Sequence, residues 1–449
     1  MARKLIALSV GVASLAMAFH ASAIDLIGVY QQALRSAPSL KADQATSEAN
    51  EESGPIALSQ MLPQVTASAT TSASALNASG DSSNSGTFTT QTYKVSASQN
   101  VFNINALANT ASGYDTTSAA RYTYRSQEQQ FMLTVSNRYF AVLEAQDNVK
   151  YANSRVLFLD QTLKQTEDKY KVGLSTITDV KQAEANYDQA VADQIKFDNQ
   201  LSDAYEQLAE LTGRIYTQLS ALKSTFPFEA PMPDDIHDWV QQAVAENNAL
   251  QSARETASAS RNDAIATAGN QLPEVSVIGS YTHTAYGGDV PPAISIYNHQ
   301  NDAQVGLQLS WNVFSGGALF ASTVQSAYQY ASQSAQALET YRSTVNQTSQ
   351  DYRSVIADVA QVAALKQSVL SNTDALKQDE ARYRVGVGTI VEVLNSQKLL
   401  FESQQKYAQA RYQYLTDALS LKLDAGTLNV NDLQRINQYL GSAINMSAS

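Results

Sequence analysis

Residues 142–180, VLEAQDNVKYANSRVLFLDQTLKQTEDKYKVGLSTITDV, carry an apolar or aromatic residue at every seventh position: Val142, Val149, Val156, Leu163 and Tyr170. Seven residues fall just short of two helical turns, so the stripe marks a helix facing a partner helix, as in a coiled coil. The same stripe returns 213 positions later as Val355, Val362, Val369, Leu376 and Tyr383. In each copy a glycine follows, Gly173 or Gly386, and the period resumes. It continues as Val180, Tyr187, Leu201 and Leu208 in one copy, and as Val393, Leu400, Tyr407, Tyr414 and Leu421 in the other. Each copy therefore predicts a helical hairpin.

The outgoing helices are long, because the flanking sequence contains almost nothing to stop them. No proline lies between 64 and 226 or beyond 292, Gly113 is the only glycine from 104 to 172, and none occurs from 318 to 385. A first helix of about 68 residues spans on the order of 100 Å at ~1.5 Å per residue. The returning helix, 176–212, is about half as long. The segment 26–60 has helical composition and the length to line the rest, with boundaries blurred by Pro38 and Pro55. Thr176-x-x-Asp179 and Thr389-x-x-Glu392 read as capping boxes that start the returning helices. Asn103 and Ser315 read as caps where strand becomes helix.

Other segments repeat in the same order. Leu62-Pro63-Gln64-Val65 returns as Leu272-Pro273-Glu274-Val275, and Val101-Phe102 as Val313-Phe314. The chain divides into a signal segment, 1–23; a first repeat, 24–213; a proline-bearing linker, 214–234; a second repeat, 235–426; and a tail, 427–449. The signal reading rests on Arg3 and Lys4, the apolar run Leu5 to Phe19 and the small-residue site Ala21-Ser22-Ala23. Two repeats are too few for a solenoid and imply a pseudo-symmetric pair.

Ahead of each hairpin the pattern changes to alternation. Val65 to Ala75, Tyr93 to Ser98, Val275 to Tyr281 and Val305 to Val313 predict four strands, one face apolar and the other polar but almost uncharged. Long polar loops, 77–86 and 286–302, separate the strands of each pair. Ten-residue strands with such loops at one end suit a membrane barrel better than a solvated sheet. Four strands cannot close a barrel, and open edges in lipid leave backbone groups unpaired, so chains must pool strands. Two chains give eight with a filled interior, and three give twelve with a lumen.

Composition narrows function by exclusion. The 449 residues hold 30 Lys plus Arg against 42 Asp plus Glu, with no cysteine. That balance argues against nucleic-acid binding, and the missing cysteine removes thiol catalysis and lipid attachment at an N-terminal Cys. His237, His283 and His299 share no metal-ligand spacing, though His283 and His299 flank one loop. Gly386-x-Gly388 lacks the rest of a dinucleotide motif, and Asp234-Asp235 reads as a helix start. Neither an enzyme nor a cofactor is expected. The alternatives are a periplasmic coiled-coil adaptor, which needs one hairpin and no strands, and a secreted coiled-coil filament, which leaves the strand pairs unexplained.

The paired tips, Tyr170-Lys171-Val172-Gly173 with Thr176-Ile177-Thr178-Asp179-Val180 and Tyr383-Arg384-Val385-Gly386 with Thr389-Ile390-Val391-Glu392-Val393, resemble the TolC family of outer-membrane efflux and secretion channels. The resemblance covers about 24–440 and, without an N-terminal Cys, points to the unacylated branch. It implies a mainly α fold with a small β part: a homotrimer whose twelve-stranded barrel in outer-membrane lipid continues as a helical barrel through the periplasm. It also implies a periplasmic adaptor and an inner-membrane transporter as partners. The hairpin-tip motifs, Tyr170, Val172, Gly173, Val385 and Gly386, would form the periplasmic entrance. There Thr178 and Asp179 would face Tyr383, and Glu392 and Asn395 would narrow the pore. Asn395 stands where the best-known member has a second aspartate and Gly388 where it has an arginine, which implies a gate with fewer charged contacts.

Overall fold

The computed structural model describes residues 23–77, 85–292, 294–295 and 297–441. The signal expectation for 1–22, the centre of the first loop and the last eight residues lie outside that set. The first repeat runs α1 (Leu26–Ser36), α2 (Pro38–Glu51), α3 (Ser53–Ser59), β1 (Gln64–Leu76), β2 (Gly86–Phe102), α4 (Ile104–Lys171) and α5 (Ile177–Thr212). After β3 (Ala221–Leu222) the second runs α6 (Ile236–Glu246), α7 (Asn248–Gly269), β4 (Glu274–Gly288), β5 (His299–Ser310), α8 (Ala318–Arg384) and α9 (Ile390–Asp424). The chain then forms α10 (Val430–Gln438) and β6 (Leu440–Gly441).

The long helices have 68 and 67 residues and the returning helices 36 and 35. Asn103 starts α4 by accepting the Ala106 N–H at 3.0 Å. Its counterpart differs: Gly317, at φ 87°, holds the cap position of α8, and Ser315 accepts the Leu319 N–H at 3.3 Å from two residues earlier. The 26–60 segment is three helices, not one. Pro38 cannot donate to continue α1 and instead begins α2.

Helices α2 and α3 line one half of α4 and α5 the other, while α7 and α9 divide α8 in the same way. Helix α4 also packs on α7 and α9, which joins the repeats along one seam. Gly113 permits the approach of α3, since a Cβ there would lie 2.7 Å from the Ser53 carbonyl oxygen. Along α8 the seven-residue stripe is buried at Val355, Val362 and Leu376. In α4 the stripe is correct but the depth shifts. Val149, Val156 and Leu163 are half-buried, and the deeper positions are Ala152, Leu159 and Thr166, three residues further on. Helix α4 has partners on two flanks, so two adjacent stripes are covered rather than one.

The strands form one antiparallel sheet in the order β1-β2-β4-β5. Its apolar face includes Val95, Tyr281, Val277 and Leu307, with Val95 opposite Tyr281 and Val277 opposite Leu307. On β5, Val305, Leu307 and Leu309 are 86%, 76% and 68% exposed, far more apolar surface than a strand leaves in water. Among the described residues, strands β1 and β5 each keep one edge unpaired. Strand β5 ends at Ser310 rather than reaching Val313. The chain turns there into a loop with Gly316 and Gly317 both at positive φ, and the Trp311 indole donates to the Gln271 carbonyl at 3.0 Å. The second loop is shorter than expected, 289–298, because the polar residues either side of it extend the ladder, with Thr284 opposite Gln300.

Between sheet and hairpin tips a belt closes around the rods. Strand β3 pairs with β6, and Ile24 bridges Leu219. Leu26, Leu208, Leu219 and Leu433 bury around Tyr139, whose hydroxyl donates to the Ser220 carbonyl at 2.8 Å.

Candidate functional site

The two hairpin tips lie at the end of the rods remote from the sheet. In the first, α4 stops at Lys171 and Gly173 turns the chain at φ 77°, a conformation that strains any residue bearing a Cβ. Thr176 then accepts the Asp179 N–H at 3.1 Å, and the Asp179 carboxylate accepts the Thr176 N–H at 2.9 Å and the Ser175 hydroxyl at 3.1 Å. The backbone hydrogen bond from Thr176 holds the Asp179 carboxyl below its usual range.

The second tip repeats the design. Gly386 turns at φ 82°, Thr389 accepts the Glu392 N–H at 3.3 Å, and Glu392 accepts the Thr389 N–H at 3.1 Å. Arg382 lies 3.5 Å from Asp379 and 3.8 Å from Glu392. Gly388 donates to the Arg382 carbonyl, and a Cβ on it would sit 3.1 Å from the Tyr383 nitrogen, so a side chain there would press on the end of α8. Tyr170, Val172, Thr178, Val385 and Asn395 are exposed.

Tyr383 is held across the gap between hairpins by residues of α4. Its hydroxyl is 3.2 Å from the Thr166 hydroxyl. The Lys169 ammonium sits 3.5 Å from its ring centroid and donates to its carbonyl at 3.0 Å. This geometry makes a cation–π contact, and burial lowers the Lys169 pKa. Sequence reasoning passed over Lys169 and Thr166. Thr166, three residues beyond the stripe position Leu163, was the available signal. A cavity of about 510 Å³ opens beside this cluster, between Phe158, Thr162, Lys169, Glu380, Tyr383 and Val393.

Higher on the rods Arg155 ties three helices together. Its guanidinium is 2.8 Å from Asp193 and 4.8 Å from the Phe401 ring centroid. At the other end of the molecule, the His283 and His299 rings lie 6.4 Å apart, with His283 Nδ1 2.6 Å from the Asn301 side-chain oxygen. Among the described residues no three His, Cys, Asp or Glu side chains gather as a metal site. Asp235 caps α6 and Asp234 accepts the Tyr352 hydroxyl at 3.1 Å, so this pair serves a helix start.

The arrangement of paired rods, a membrane-suited sheet and two tight tips is matched in known proteins. The pattern of the family described as "Outer membrane efflux protein" fits residues 29–214 and 239–427, one match on each repeat. The chain belongs to that family. The outer membrane protein TolC of Salmonella enteritidis is 30% identical over 448 residues, 98% of this chain and 90% of its own. The alkaline protease secretion protein AprF of Pseudomonas aeruginosa is 23% identical over 424 residues, 93% of this chain and 87% of its own. The fold matches the crystal structure of the outer membrane protein VceC of Vibrio cholerae with a TM-score of 0.78 at 18% identity, over 89% of this chain and 96% of that one. Membership of the outer membrane efflux protein family makes this a channel protein of the outer membrane. The four-stranded sheet is the part of the fold suited to that membrane.

Proposed function

We propose that three copies close into one duct, the exit of a tripartite efflux pump or type I secretion system. An inner-membrane transporter loads this duct through a periplasmic adaptor. The observation that carries the reading is the unpaired edge on each side of the four-stranded sheet. In lipid, each unpaired backbone group costs several kcal/mol, and three copies join β5 to the next β1 in a twelve-stranded barrel wide enough for a lumen. Beneath it the seam that joins α4 to α7 and α9 repeats between copies, with α8 meeting the next copy's α2, α3 and α5.

The hairpin tips form the periplasmic entrance of this duct. Thr178, Asp179, Tyr383, Gly388, Glu392 and Asn395 lie at its constriction, and three Glu392 carboxylates around the axis favour cations. The test is the mass of the detergent-solubilised protein together with planar-bilayer recording. A heat-sensitive trimer that conducts with cation preference is the expected result. A monomer, or a trimer that never conducts, overturns the reading.

A further inference from the structure

The contact that holds Tyr383 has a counterpart in the other repeat, and among the described residues Asp379 and Arg382 of that counterpart pair with each other, with Ser396 and with Glu392 rather than with Tyr170. Thr166, Lys169 and Tyr383 correspond, 213 positions away, to Asp379, Arg382 and Tyr170. Within one protomer Thr166 and Lys169 of the first long helix reach Tyr383 of the second. Around a ring of repeats the same step carries Asp379 and Arg382 of one copy to Tyr170 of the next.

We infer that Arg382 and Asp379 form an inter-copy clasp on Tyr170 of the neighbouring protomer, closing the ring at the hairpin tips. The chemistry of each exchanged residue suits this. Arginine replaces lysine over the ring face, where its planar guanidinium stacks at least as well. Aspartate replaces threonine opposite the phenol and accepts its hydroxyl proton. Asp379 already takes the Ser396 hydroxyl at 2.5 Å, which fixes its carboxylate at the tip. The Arg382 side chain is 52% exposed, and Tyr170 is 46% exposed.

Burial of the isoleucines that open the returning helices supports the same step. Ile390 is 2% exposed beneath α4, while its equivalent Ile177 is 51% exposed, with the matching flank of α8 absent from a single chain. The two seams differ in character. Phe158 and Leu159, which pack on the second tip, are replaced at the inter-copy seam by Ser371 and Asn372. The inter-copy seam at the tips is therefore the more polar, and the clasp is its main tie.

The inference rests on the ring of copies proposed above, and the test separates the two. The chain has no cysteine, so introduced pairs are unambiguous. Tyr170→Cys with Arg382→Cys, treated with a short bismaleimide, is expected to give covalent dimers and trimers on a denaturing gel. Lys169→Cys with Tyr383→Cys, treated alike, is expected to keep monomer mobility. A trimer that conducts but yields no inter-copy product from the first pair overturns the clasp and leaves the duct standing, whereas a protein that never assembles overturns both. Arg382→Cys alone, carrying a benzophenone label, repeats the test with Tyr170 in place. Its adduct is expected on the neighbour's Tyr170 peptide, and an adduct only within its own chain overturns the clasp.

Discussion

Glu392 has one role in the chain and a second on the proposed trimer. Its carboxylate accepts the Thr389 N–H and so completes the capping box that starts α9, and the proposed duct would also place it where three copies converge. Glutamine keeps a side-chain acceptor at this helix position, so Glu392→Gln separates charge from capping. The expected outcome is an unchanged helix content and melting temperature with a clear fall in cation preference, read from reversal potentials in asymmetric salt. Unchanged selectivity would remove Glu392 from the constriction. Asn395, an amide one turn further on, adds no charge to offset the loss.

At the scale of the element, the two helix pairs differ in their charge. Asp351 and Asp358 on α8 face Asp424 and Asp417 on α9, whereas the equivalent positions of the first repeat are Arg138, Ala145, Leu211 and Ala204. Burial first, then the neighbouring carboxyl, raises Asp358 to about 7 and Asp424 to about 8, and burial raises Asp351. No Lys, Arg or His is among the groups that offset this. The sign follows from where the protons sit. The folded state keeps them above pH 4, where unfolded aspartates have released theirs, so the stability these groups contribute is fully present below about pH 4 and is lost as pH rises toward 8. Thermal melts of the solubilised protein should move to lower temperature between pH 5 and pH 8.5. Asp358→Asn combined with Asp424→Asn should flatten that slope, and an identical slope in the variant would assign it to other groups.

For the whole molecule, the exposed face of β5 is the most demanding feature. Leu307 is 76% exposed in the middle of an apolar row, the position a lipid contact requires. An arginine near the bilayer midplane of a barrel costs about 2–4 kcal/mol. Leu307→Arg should therefore lower the yield of trimer seen on an unheated detergent gel after refolding into vesicles, while Gln308→Arg, on the opposite face of the same strand, should be tolerated. Equal tolerance of both would show that this face is not in lipid.

The hairpins were legible because their causes are local. The seven-residue period, the missing prolines and the two threonine-led caps fix the lengths of α4, α5, α8 and α9 from near neighbours alone. The repeat added the number of strands and their order along the chain. Two things could not be read this way. The end of β5 depends on where a pair of positive-φ glycines and the Trp311 hydrogen bond turn the chain. The burial of Thr166 and the seating of Lys169 on Tyr383 depend on how α4 rotates between two sets of neighbours. The rods, the turns and the duplication follow from the order of residues alone, because backbone preference and periodicity act over a few residues. Which side chains meet between hairpins emerges only on packing, because it is set by the phase of helices more than two hundred positions apart.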